Sequence, residues 1–393
     1  MNPAHDFARL RQEIPLLQHL TYLNTGYTGP MPEPVDAAVR QWRGAWYASG
    51  LTTPEGIQMM NESLDRARSA VAGLLHCESA EIALLDNTSD GINVIANGLP
   101  WSAGDEVITS DLEHPAGLLP WFLLAKTKGI KVHVLKLAGH EASMLDLYEQ
   151  HIGPRTRVVC LSHVLYSTGM RMPVPAIAEL AHRVGALCLV DGAQAVGQID
   201  VNVAALDCDA YSLPGQKWLL GPSGTGALYL HRSVLERIGI HDIGFLSISR
   251  FHIDGEYVLK PSAQRYEGAT KPWDLLVGLA AAIEYMNGFG RQAAYARMAA
   301  LQRRLRLGLQ QIAEVELTGA PDDDAYTSLV CFNLRGHDPE RLFADLWQRE
   351  RIVTRWVPFP RAMRACVHAF NTEEDIQRLL DALIAATRGA TRV

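Results

Sequence analysis

Leu187–Gly197 reads LCLVDGAQAVG and Ser212–Leu230 reads SLPGQKWLLGPSGTGALYL. The first is a short apolar run that ends on a carboxylate, Asp191, and breaks at Gly192. The second carries Lys217 among Gly215, Gly221, Gly224 and Gly226, and closes on the strand-like run Gly226–Leu230. Working outward, the same rhythm recurs. Ile82–Leu85, Glu106–Ser110, Lys131–Leu137 and Arg157–His163 read as strands, with a further one around Tyr211. Helical stretches stand between them at Ser89–Gly98, from Pro115 to a stop at Gly129, and from Pro175 to Val184. Such β-α-β repetition predicts a mostly parallel sheet with helices on both faces, and polar residues after the strands then converge at one edge. After Pro272 the pattern changes. An apolar stretch to Phe289 and a helix over Gln292–Ile312 precede strands at Thr327–Leu334, Ile352–Trp356 and Ala365–Phe370. Helices at Asp338–Glu350 and Thr372–Thr387 complete a smaller α+β unit, the last opened by Thr372 with Asp375 three residues on, like a capping box. The fold class is α/β, with a large mostly parallel domain and a smaller α+β domain.

With 393 residues the chain exceeds one small core, and 48% hydrophobic with 20% charged residues is ordinary for a globular protein. A net charge of -7 carries no basic footprint for nucleic acid. No apolar run is long enough to span a membrane, and Met1–Leu10 has no secretory apolar core. The six cysteines are scattered without a C-x-x-C pair, so a reduced, cytoplasmic protein is expected. The histidines form no metal-spaced cluster, and no metal is assigned.

Four segments carry chemistry. A lysine used as a Schiff-base nucleophile needs an unprotonated amine, and Lys217 sits where a glycine-rich loop lets backbone approach a bulky ligand. Asp191 at a strand end can pair with a protonated ring nitrogen, and Gln194 can donate to a phenolate oxygen. In LLDNTSDGINVIANGL, Leu84–Leu99, a strand leads through Thr88 and Ser89 into a helix, whose first N–H groups bind phosphate. In EHPAGLLPW, Glu113–Trp121, His114 follows a strand and can stack on a flat ring. Each segment alone also reads as a turn lysine, a strand-end turn, an ordinary N-cap or a structural histidine. Their order and spacing together point to one site.

With these motifs the chain resembles the class V aminotransferase family of fold-type I pyridoxal 5'-phosphate (PLP) enzymes, which includes cysteine desulfurases, selenocysteine lyase and isopenicillin N epimerase-like proteins. The resemblance runs from LNTGYTGP at Leu23 to the final helix. It implies the PLP-dependent transferase fold type I, with an N-terminal arm over 1–22, a large PLP-binding domain over 23–270, and linking helices with a small domain over 271–393. It implies that Lys217 carries the cofactor, Asp191 pairs with the pyridinium and Gln194 with the ring oxygen. His114 would stack on the ring, and Thr88, Ser89 and Gln216 would serve the phosphate. The segment RYEGAT, Arg265–Thr270, resembles R-x-E-x-G-T and implies that Thr270 reaches the phosphate of a partner subunit, hence a homodimer with its active site at the interface. Arg364, in RACVHAFNTEED, falls where the family binds the substrate carboxylate.

Departures shape the functional expectation. PGQK, Pro214–Lys217, replaces S-G-H-K and removes one phosphate donor; its G-Q-K-W form resembles the epimerase-like and C–S lyase branch. Tyr166 in SHVLYSTGM replaces an asparagine and, with Tyr27, is expected at the substrate pocket. Arg349–Met363 contains no cysteine, which argues against a cysteine-persulfide desulfurase. The expected substrate is a small amino-acid-like molecule. The expected reaction is C–S or other β-elimination, or transamination. The alternatives are an epimerase, with Tyr27, Tyr166 or His163 as second acid, and a non-catalytic PLP-binding protein. Trp46, Tyr47, Phe245 and Trp356 are further candidates for an apolar pocket wall.

Overall fold

A computed structural model describes residues 6–137, 144–318 and 327–389. Its centre is a seven-stranded sheet of β1 (Ile82–Leu85), β2 (Glu106–Ser110), β3 (Lys131–Leu135), β4 (Thr156–Ser162), β5 (Leu187–Asp191), β6 (Ala210–Pro214) and β7 (Gly226–Leu230). The spatial order is β1-β7-β6-β5-β4-β2-β3, with β7 antiparallel to both neighbours and the other pairs parallel. Apart from the partly exposed edge strand β3, the strands are buried on both faces, with alternate residues pointing to opposite sides. Cys188 and Val190 of β5 enter one core cluster, and Leu187 and Leu189 enter the other. Strands β1 and β4 split the same way, Leu84 and Leu161 to one side, Ala83 and Cys160 to the other.

Helices α1 (Glu33–Ser49), α2 (Pro54–Leu75), α3 (Thr88–Gly98), α4 (Leu119–Lys128) and α5 (Val174–Arg183) come from the first half of the chain. The stretch after Pro115 is a 3-10 turn over Pro115–Gly117 before α4, rather than one helix, because His114 caps the turn by accepting from the Ala116 N–H at 3.2 Å. A hairpin of β8 (Ile248–Phe251) and β9 (Tyr257–Leu259) follows, then α6 (Trp273–Gly288), which packs on α1 and α2, and α7 (Arg291–Gln310).

A second sheet holds β10 (Val315–Leu317), β11 (Leu329–Leu334), β12 (Arg355–Pro358) and β13 (Arg361–Cys366), antiparallel in the order β10-β11-β13-β12. Helix α8 (Pro339–Glu350) stands between β11 and β12, and Leu301, Leu305 and Leu309 of α7 meet Leu379 and Leu383 of α9 (Glu373–Gly389) against Val330 and Phe332 of this sheet. Thr372 and Asp375 cap α9 reciprocally, at 3.1 and 3.3 Å.

Two strand expectations shift. Ile352–Trp356 divides: Ile352–Val353 pairs in parallel with Thr21–Tyr22, and Arg355 begins β12. The strand expected at Ala365–Phe370 ends at Cys366, because the Asn371 side chain accepts from the His368 N–H at 2.8 Å and turns the chain. A further apolar cluster joins the two sheets: Leu10, Ile14 and Leu17 of the N-terminal segment pack with Trp218, Phe289, Cys331 and Cys366. Among the described residues, no helix is long and apolar enough to cross a membrane.

Candidate active site

The parallel sheet brings the carboxyl ends of its strands to one edge. Ser162, Asp191 and Ser212 stand side by side there on β4, β5 and β6. A cavity of about 440 Å³ opens at this edge, bounded on its far side by β12 and β13 of the small sheet. That volume lies within the usual range for small-molecule sites, about 300–1,000 Å³.

Lys217, Asp191, Gln194, Gln216, Thr88, Ser89, His114, Tyr166, Tyr27 and Arg364 all line this one cavity, though they were read from segments spread over most of the chain. Removal from bulk water pulls the Lys217 ammonium down to about 8; Asp191 acts the other way, and Arg364 adds to the lowering. Asp191 accepts the Ala193 N–H on Oδ1 at 2.8 Å, and among the described residues no partner holds its other oxygen. Asn87 caps α3 by accepting from the Asp90 N–H at 3.0 Å, which aims the helix start at the cavity. Among the described residues the buried Thr88 hydroxyl has no partner, nor has the Gln216 side-chain oxygen. His114 presents its ring edge-to-face to Tyr166, centroids 5.2 Å apart. Partial burial, then Lys217, hold the His114 imidazolium below its usual range.

Gln194 donates from Nε2 to the Gly26 carbonyl at 2.8 Å. Position 26 must be glycine: a Cβ there would stand 2.8 Å from Cys366 Sγ and 3.0 Å from Gln194 Oε1. Arg364, 3% exposed, donates to the Tyr166 carbonyl at 3.2 Å and reaches Asn24 Oδ1 at 3.5 Å, and among the described residues its Nε has no partner. No carboxylate among the described residues pairs with it.

Other expected residues lie elsewhere. Thr270 is exposed and outside this cavity. His163 is buried, bonded to the Tyr211 hydroxyl at 3.0 Å and pushed down to about 3 by burial, so the second-acid alternative loses it from the cavity. Trp356 lines the cavity; Trp46, Tyr47 and Phe245 do not.

Two residues had no assigned role. Glu113 is 3% exposed and accepts hydrogen bonds from Ser110 Oγ, at 3.2 Å, and Ser162 Oγ; burial, opposed by the Ser162 hydrogen bond, raises its carboxyl to about 7. An acidic residue just past a strand end, beside His114, was the available signal. Arg355 faces Arg364 directly across β12 and β13, lines the same cavity, and lies over the Tyr27 ring at 4.7 Å. Spacing alone does not disclose that register.

Comparison with known proteins shows the family. Residues 21–379 match the family described as aminotransferase class-V. The chain belongs to the class-V aminotransferase family. A "probable cysteine desulfurase" of Methanothermobacter thermautotrophicus is 31% identical, with 95% of this chain and 96% of the relative covered. A cysteine desulfurase of Salmonella agona is 30% identical, over 95% of this chain and 97% of its own. Among solved structures, the cystine C–S lyase C-DES with its reaction product cysteine persulfide superposes with a TM-score of 0.89 and 29% identity, covering 94% of this chain and 98% of that one. A lysine-to-alanine C-DES variant with glycine linked to the PLP cofactor matches equally, TM-score 0.89 and 28% identity over 95% and 98%. The fold is fold type I, and the cofactor is PLP.

The residues present fit that cofactor. The unpartnered Thr88 hydroxyl at a capped helix start suits a phosphate, the free oxygen of Asp191 suits a protonated ring nitrogen, and a lysine with lowered basicity suits a Schiff base. One expectation is overturned. The missing loop cysteine argued against desulfurase chemistry, yet relatives covering most of the chain are named cysteine desulfurases, and a neighbour yields cysteine persulfide. The inference failed because a persulfide can leave as the product when the C–S bond of a substrate disulfide breaks, so a protein thiol is no measure of this chemistry.

Proposed function

We propose that the chain is a PLP-dependent lyase that cleaves the Cβ–S bond of a cysteine-derived amino acid with two carboxylates, the disulfide-linked cysteine dimer being the simplest. The arginine pair carries this reading. Arg355 and Arg364 are directly cross-strand and line one cavity, and among the described residues neither meets a carboxylate. Like charges in that position repel, so the arrangement suits two substrate anions. That C-DES is named a cystine C–S lyase supports the same substrate class.

Bound PLP supplies a covalent hold on the substrate amine and a sink for the electrons of the Cα–H bond. Lys217 anchors the cofactor and takes the α-proton; an amine near 8 keeps a usable unprotonated fraction at neutral pH. The free oxygen of Asp191 holds the ring nitrogen protonated. Thr88, Ser89 and the first N–H groups of α3 would hold the phosphate, with Gln216 beside them. Gln194 would donate to the ring oxygen, His114 would pack against the ring, and Tyr166 and Tyr27 would shape the substrate space. Arg364 takes the α-carboxylate and Arg355 the distal one. The Cα–H electron pair forms a Cα=Cβ bond, the Cβ–S pair leaves on sulfur, and hydrolysis of the three-carbon remainder gives pyruvate and ammonia.

The reading includes a cytoplasmic homodimer built from the arm, large and small units at 1–22, 23–270 and 271–393. Thr270, exposed outside its own cavity, would serve the partner's phosphate; the exposed Phe251, Ile253 and Tyr257 on and beside the β8–β9 hairpin suit an interface. Six unpaired cysteines suit a reducing compartment. The test is turnover of L-cystine, L-cysteine and S-methylcysteine by the PLP-loaded protein. Catalytic pyruvate, ammonia and persulfide from L-cystine are expected. Stoichiometric keto acid with accumulating pyridoxamine phosphate would replace this reading with transamination, and solvent deuterium at Cα without keto acid would replace it with epimerisation.

A further inference from the structure

Trp218 follows Lys217 but does not line the cavity; it stands behind it, 1% exposed. Its Nε1–H donates to Gln194 Oε1 at 2.9 Å. An indole N–H can only donate, so the amide oxygen of Gln194 must face it. The amide nitrogen then faces the Gly26 carbonyl, which takes one of its two hydrogens. The second hydrogen is left for the cavity. Turning the amide over would set N–H against N–H at Trp218 and oxygen against oxygen at Gly26, both buried, and would present a lone pair to the cavity.

Trp218 is itself held firmly. Its carbonyl accepts from His368 Nε2 at 3.1 Å, and its ring stacks on His368, interplanar angle 25°. Gly197, at φ +91°, lets the chain pass where a Cβ would come within 2.6 Å of the Trp218 carbonyl. The main chain of Gln194 is fixed as well, since its carbonyl accepts from Gln198, whose side-chain oxygen accepts the Ser328 N–H at 2.9 Å.

We infer that Trp218 is a positioning residue that fixes the amide of Gln194 in the one orientation offering a hydrogen-bond donor to the cofactor ring oxygen. The inference rests on the assignment of Gln194 to that oxygen. A double-mutant cycle tests both separately, with Trp218→Phe, Gln194→Ala and the double variant. PLP dissociation constants of the apo-proteins and the pH midpoint of the visible band of the lysine-linked cofactor are read for each. Trp218→Phe should weaken PLP binding about fivefold, the scale of one lost hydrogen bond. It should also move the midpoint to higher pH, since a ring oxygen without its donor holds a shared proton more tightly. In the Gln194→Ala background, Trp218→Phe should change neither quantity. Equal effects of Trp218→Phe in both backgrounds would reduce Trp218 to packing and overturn the inference. A silent Gln194→Ala would overturn the assignment of Gln194, and the inference with it. Should Trp218→Phe fail to fold, replacing the indole by benzothiophene removes the N–H at constant shape, and the same outcomes decide.

Discussion

Replacing Lys217 by methionine should stabilise the cofactor-free protein while abolishing cofactor attachment. The folded protein holds the Lys217 ammonium down at about 8 against an ordinary 10.5, mainly by withholding water from it. Between those values the unfolded chain binds the proton and the folded one does not, so the wild type gains stability as pH rises through that window. Below about pH 8 the charged lysine is carried into the fold at full cost. One pKa unit corresponds to about 1.4 kcal/mol, so the penalty at pH 7 is about 3 kcal/mol. Methionine has a similar volume and no charge to desolvate. Denaturant unfolding of both apo-proteins at matched concentration, at pH 7 and pH 10, measures the difference. The variant should be more stable by about 3 kcal/mol at pH 7, and the gain should shrink sharply by pH 10. A variant no more stable than wild type at pH 7, or a gain independent of pH, would refute the electrostatic account of Lys217.

Arg355→Ala should lower kcat/KM for L-cystine about tenfold, at the low end for a charge-assisted bond because Arg355 is only half-buried, and should leave a monocarboxylate substrate nearly unchanged; steady-state kinetics on both substrates reads this. Glu113 has its folded carboxyl raised to about 7, so its contribution to stability is complete below the ordinary value of 4.5 and is lost as pH rises through 7. Glu113→Gln should therefore match wild type near pH 4.5 and exceed it above pH 7, seen in unfolding midpoints across that range. Thr88→Val removes a buried hydroxyl that has no partner among the described residues; it should weaken PLP binding about tenfold without destabilising the apo-protein.

Much of the fold was legible because the strands are short apolar runs closed by polar residues. Ile82–Leu85, Glu106–Ser110 and Gly226–Leu230 read from composition are the strands observed. Misplacement came where apolarity reports burial rather than pairing. Ala369 and Phe370 are buried as a strand would be, yet they lie in a turn closed by Asn371. The candidate site was legible where polar residues sit at or after strand ends, as at Asp191 and Lys217, since topology sends those ends to one edge and both line the same cavity. Arg355 and Trp218 escaped for another reason. The meeting of Arg355 with Arg364 depends on antiparallel register, and the role of Trp218 depends on one hydrogen bond through the core; neither leaves a periodicity in the chain.

Every role proposed for the cavity depends on Lys217 carrying PLP. Borohydride reduction of the PLP-loaded protein, followed by peptide mass mapping, tests this directly. A phosphopyridoxyl adduct on Lys217, absent in Lys217→Ala, is the result predicted. An adduct on another lysine, or an unmodified Lys217 peptide in protein that has lost its visible band on reduction, would contradict it.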